Sequence, residues 1–149
     1  MKTQRLLTDG QNGREWRRLF ALWARRALLR AGWRISIVGD PHLDAMAEYS
    51  TVVPRREVVF KFRTDVKADS LTAAHEIGHV MVAPIQHSAD HVIEDLPEAQ
   101  KSLARKCIRD AIEEAAENIA LALAEAYREL DADRRGGKRN GKRPKAARR

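Results

Sequence analysis

The chain predicts an α+β domain built in the order helix, strands, helix, helix, and three observations lead there. Apolar residues first recur every three or four positions between Trp16 and Ala27, the period of an amphipathic helix. They next alternate with polar residues in short runs bounded by Gly and Pro, the period of strands. Helical spacing then returns from about position 70 and continues as far as Leu130. A chain of 149 residues is long enough for one core and short for two. No run approaches the ~18–20 uninterrupted apolar residues needed to span a bilayer.

The first helix is expected from about Glu15 to Ala31. Trp16, Leu19, Phe20, Trp23 and Ala27 form its buried stripe, and Gly32 can end it. Arg14, Arg17, Arg18 and Arg25 lie largely off that stripe, giving a basic face that is solvated or meets phosphate. Trp33, Ile35 and Ile37 alternate with Arg34 and Ser36 until Gly39, Asp40 and Pro41 break the strand. Two more β-rich runs, Met46 to Val53 and Glu57 to Phe62, are separated by Pro54, Arg55 and Arg56. In the second, Val58, Phe60 and Phe62 share one face. Asp69 and Ser70 are candidate N-caps for the helix that follows, and Asp95, Pro97 and Glu98 form the start signal of the last one.

The net charge of +7 is unevenly spread. Residues 134–149 hold nine Lys or Arg and no acid, while residues 1–34 hold nine against Asp9 and Glu15. The intervening body is therefore acidic. The terminal segment has three glycines and almost nothing to bury, so it reads as a disordered basic tail outside a domain spanning residues 1–133. Such a tail either holds nucleic acid or an acidic partner by counterion release or simply solubilises the chain. The lone Cys107 cannot form an internal disulfide, and the N-terminus lacks a signal-peptide layout. Both features favour a reducing cytoplasm.

The chemistry concentrates in Ala73-Ala74-His75-Glu76-Ile77-Gly78-His79-Val80-Met81. Residues four apart on a helix share a face one turn from each other, so His75 and His79 can present two imidazoles to one zinc ion. Glu76 would then stand beside the metal's open position. There it can take a proton from a zinc-activated water, whose pKa falls towards ~7, and pass it to a leaving amine as a general base. Gly78 costs roughly 0.5–1 kcal/mol relative to Ala inside a helix, which suggests that something packs very close between the two histidines. No histidine lies six residues beyond His79, since that position is Ile85, so a downstream acid is the better third ligand.

Three glutamates compete for that role on the last helix, whose apolar stripe runs through Ile108, Ile112, Ala115, Ile119 and Leu123. Glu113 lies nearer the stripe's edge than Glu114 or Glu117 and is aligned with Ala116, Ala120 and Ala124, small residues that permit close helix approach. Glu113 is the leading candidate, Glu114 and Glu117 remain open, and Glu117 could instead hydrogen-bond a ligating imidazole. A donor for the developing oxyanion is not evident. His87 and His91, in a polar, loop-like stretch, are candidates, as is Tyr127, which reads better as core.

His75-Glu76-Ile77-Gly78-His79 followed by Glu113-Glu114-Ala115-Ala116-Glu117-Asn118-Ile119-Ala120 resembles the small zincin metallopeptidases of bacteria and phages, the general type that includes the ImmA/IrrE-like and SprT-like proteins. The resemblance extends over roughly residues 16–130. It implies a minimal zincin, with a small antiparallel or mixed sheet packed on the motif helix and a third ligand on the following helix. It also implies that the strand running into the motif helix, Glu57 to Phe62, is the edge along which an extended protein or peptide substrate lies. The competing class is a non-catalytic zinc module whose basic termini bind nucleic acid. A closed structural site usually draws on several cysteines, and Cys107 is the only one.

Overall fold

The computed structural model describes residues 10–137, with side chains described through 128. Among the described residues the fold has three α-helices and a three-stranded mixed sheet: α1 (Gln11–Ala27), β1 (Arg34–Gly39), β2 (Ala47–Val52), β3 (Glu57–Phe62), α2 (Ser70–Glu94) and α3 (Glu98–Gly137). The α+β expectation holds, and the sheet is of the mixed kind. Among the described residues no helix is long and apolar enough to cross a membrane.

α1 begins a turn earlier than the stripe suggested and gives way after Ala27 to a short 3-10 turn at Leu29–Ala31. Gly32 ends that turn in the left-handed region at φ 79°, a conformation that costs glycine little because it has no Cβ. The aromatic stripe then does its expected work. Trp16, Phe20, Trp23 and Leu28 are fully buried, and Trp16 and Phe20 stack on Phe62 while Phe20 stacks on Phe60. Arg17 does not belong to a purely solvated face. It donates to the Ile37 carbonyl and lies over the Phe62 ring, fastening α1 to the sheet.

The strand order is β1-β3-β2, with β1 parallel and β2 antiparallel to β3. The strand that leads into the motif helix is therefore central, which corrects the expectation that Glu57 to Phe62 forms an edge. The chain makes a crossover: β1 and β2 are successive in sequence, yet among the described residues each pairs only with β3. Burial explains the arrangement. β3 alternates strictly, with Val58, Phe60 and Phe62 buried, and the sheet's most apolar strand gains most from neighbours on both sides. On the opposite face, cross-strand pairs Arg34–Glu57 at 2.7 Å and Lys61–Glu48 at 2.9 Å clothe the sheet in charge.

α2 and α3 form an antiparallel hairpin beside the sheet. Asp69 caps α2, accepting from the Thr72 backbone N–H at 2.7 Å and its hydroxyl at 2.6 Å. The helix does not stop at Pro84 but runs through it to Glu94. Proline forfeits one backbone hydrogen bond, but Pro84 sits on the exposed side while Val82 and Ala83 stay buried. His87 and His91 are consequently helical, which corrects their placement in a loop. Asp95 closes α2, its N–H bonding back to Val92, and is not the cap of α3, which opens at Glu98. α3 continues past position 133 to Gly137. The remainder of the basic 134–149 segment lies outside the described residues.

Candidate metal centre

The hairpin seam is lined by the smallest residues of both helices. Ala73, Ala74, Ala116 and Ala120 are buried, and Gly78 faces Ala116 so closely that a Cβ built on it would lie 2.6 Å from the Ala116 carbonyl oxygen and 3.0 Å from its Cα. This is the close packing that a glycine between two histidines implied. The seam fixes the register of the two helices: with Ala116 seated on Gly78, Glu113 lies one turn back on α3, level with the motif histidines.

His75, His79 and Glu113 converge, their ligand atoms all within 4.8 Å of one another. The His75 and His79 Nε2 atoms are 3.0 Å apart. Glu113 Oε2 stands 3.6 Å from the first and 3.5 Å from the second. Bonds of 2.0–2.2 Å would separate ligand atoms by roughly 3.3–3.6 Å at tetrahedral angles and by roughly 2.8–3.1 Å as the angle closes to 90°, so the two Glu113 spacings suit a tetrahedral site while the 3.0 Å between the imidazoles corresponds to a narrower angle. Two imidazoles and one carboxylate at these spacings therefore fit a single small divalent cation, and the donor set is one found at catalytic zinc. Glu114 and Glu117 are exposed and are not part of the group. Among the described residues no hydrogen bond joins Glu117 to an imidazole; it lines a cavity next to His75 together with Asp69, Leu71 and Leu121.

The neighbourhood is electrostatically biased. Burial, followed by the negative charges of Glu113 and Glu48, pushes the Glu76 carboxyl up to about 7. Burial holds the His79 imidazole below its ordinary value, against the pull of Glu113 and with the aid of His75. That favours the neutral ring, the form able to donate a lone pair to a metal. No known protein-family model, curated protein or solved structure matches the chain. The chemistry must be read from these residues alone.

Tyr49 is the residue that the sequence analysis missed. It lies on β2 opposite Phe60, points to the inner face and stacks on the His79 ring with centroids 5.1 Å apart and planes 14° from parallel. Its phenol is raised by burial and then by the charges of Glu76 and Glu113, which places it in the same electrostatic neighbourhood. The His79 Nδ1 is buried without a hydrogen-bond partner, so the stack on Tyr49 is the contact that orients this ring. Its only sequence signal was the inward parity of Ala47, Tyr49 and Thr51. Tyr127 packs edge-on against Trp23 beneath Arg26, in keeping with a core role.

Proposed function

We propose that the chain is a zinc-dependent metallopeptidase of the minimal zincin type. The observation that carries this reading is the convergence of His75 Nε2, His79 Nε2 and Glu113 Oε2 within 4.8 Å of one another, with the Glu76 carboxyl beside them held near neutrality. Three protein ligands leave a coordination position open, as catalytic sites do and structural sites do not. When bound, zinc would supply Lewis acidity: it would lower the pKa of water towards ~7, polarise the scissile carbonyl and, as a nearby positive charge, counter the burial and the negative charges that raise the Glu76 carboxyl.

The protein's own residues do the rest. Glu76 takes a proton from the attacking water and delivers it to the leaving amine nitrogen. Tyr49 keeps the His79 ring in place. Among the described residues β2 pairs on one side only, and with Tyr49 on it, this strand replaces β3 as the edge that an extended protein or peptide substrate can extend by backbone hydrogen bonds. Replacing Glu76 by glutamine tests the mechanism, since it preserves shape but removes the base. Zinc content and Tm should stay near wild type while cleavage of a protein substrate falls by about 10²–10⁴-fold. Wild-type turnover by Glu76→Gln would overturn the proposal.

A further inference from the structure

α2 carries a second histidine pair at the spacing of the first. His87 and His91 place their Nε2 atoms 3.2 Å apart with rings at 76°, against 3.0 Å and 87° for His75 and His79. Corresponding members of the two pairs are separated by about 18 Å along the helix and turned by roughly 120° around it. The pairs therefore cannot share an ion. Bonds of 2.0–2.1 Å from one ion to two imidazoles, at angles between 90° and tetrahedral, require nitrogens ~2.8–3.4 Å apart, and 3.2 Å lies within that interval.

We propose that His87 and His91 form a second, weaker site for a divalent transition-metal ion, independent of the first and of any peptidase activity. His91 is exposed and His87 is half-buried at the rim of a cavity of about 370 Å³ that it shares with Tyr49, Thr51, Gln86 and Asp90, so an ion reaches both rings from solvent. Among the described residues no third His, Cys, Asp or Glu joins the pair in a ligand group. Glu94, on the next turn, is engaged by Arg105 at 2.6 Å and Lys101 at 3.8 Å. Water or a small exogenous ligand completes the shell. A site of two imidazoles prefers Cu²⁺, Ni²⁺ and Zn²⁺ to Mg²⁺ or Ca²⁺, because borderline nitrogen donors bind hard oxygen-seeking cations poorly.

The test is a titration of Zn²⁺ onto the full chain at neutral pH, in a buffer that does not chelate, followed by calorimetry and by competition with a chromophoric chelator. The wild type should bind one equivalent more than the His87→Gln/His91→Gln double variant. Each single variant should weaken that equivalent at least tenfold, since a lone imidazole cannot chelate. His42→Gln should change nothing. Equal zinc uptake by the wild type and the double variant would overturn the proposal. The His75→Ala/His79→Ala variant reports the other site separately, so loss of one reading leaves the other standing. Glutamine keeps both surface positions polar and helix-compatible, and matching Tm values in chelator would show that the variants fold.

Discussion

Gly78→Ala sets two effects of opposite sign against each other. In an exposed helix interior the substitution stabilises by roughly 0.5–1 kcal/mol, because alanine loses less backbone freedom on folding. At position 78 the new Cβ would sit 2.6 Å from the Ala116 carbonyl oxygen, 3.0 Å from Cα and 3.2 Å from the carbonyl carbon, all of them backbone atoms. Ordinary contact begins near 3.4 Å, so α3 must retreat by roughly 0.8 Å. No side chain there can rotate away. Overpacking of this kind costs about 1–3 kcal/mol, which set against the propensity gain leaves a net loss of about 0–2.5 kcal/mol, centred near 1. Because Glu113 is one turn from Ala116 on the helix that retreats, zinc affinity should fall as well. Urea unfolding in chelator measures the first effect, and zinc competition on the folded variant the second. A Gly78→Ala protein as stable as wild type, with unchanged zinc affinity, would refute the packing argument.

Other perturbations probe the remaining supports. The Thr72 hydrogen bonds hold the Asp69 carboxyl below its ordinary 3.8, so folding favours the ionised form. The cap's contribution is then complete above that value and fades as pH falls through the lowered one. Asp69→Ala should cost about 1 kcal/mol at pH 7, and its deficit should close in acid; a deficit independent of pH would contradict the cap. Tyr49→Ala should weaken zinc binding by about tenfold or more, whereas Tyr49→Phe, which keeps the stack on His79, should bind nearly as well. Equal losses in both variants, read by chelator competition, would transfer the effect from the ring to the hydroxyl.

The site was more legible in the sequence than the sheet was. His75 and His79 follow from helical geometry alone, and Glu113 could be favoured over Glu114 and Glu117 because its register with Ala116 and Ala120 is a local property of one helix. Gly78 pointed to the seam for the same reason. Strand order is not local. β3 becomes central only because β1 pairs with it in parallel across the whole of β2, and nothing in the run from Glu57 to Phe62 distinguishes a centre from an edge except its stricter apolar alternation. Tyr49 was missed for that reason, since its meeting with His79 depends on where β2 lies. His87 and His91 were misplaced in a loop because their stretch is polar, yet α2 runs on through it to Glu94 with Ile93 buried near its end.

Metal analysis of the purified protein after exhaustive dialysis tests the central claim most directly. Wild type should retain about one tightly held zinc per chain, His75→Ala, His79→Ala and Glu113→Ala should lose it, and Glu114→Ala should keep it. A wild-type protein that emerges metal-free and takes up no zinc tightly when it is offered, or a Glu113→Ala variant that holds zinc as firmly as wild type, would contradict the account.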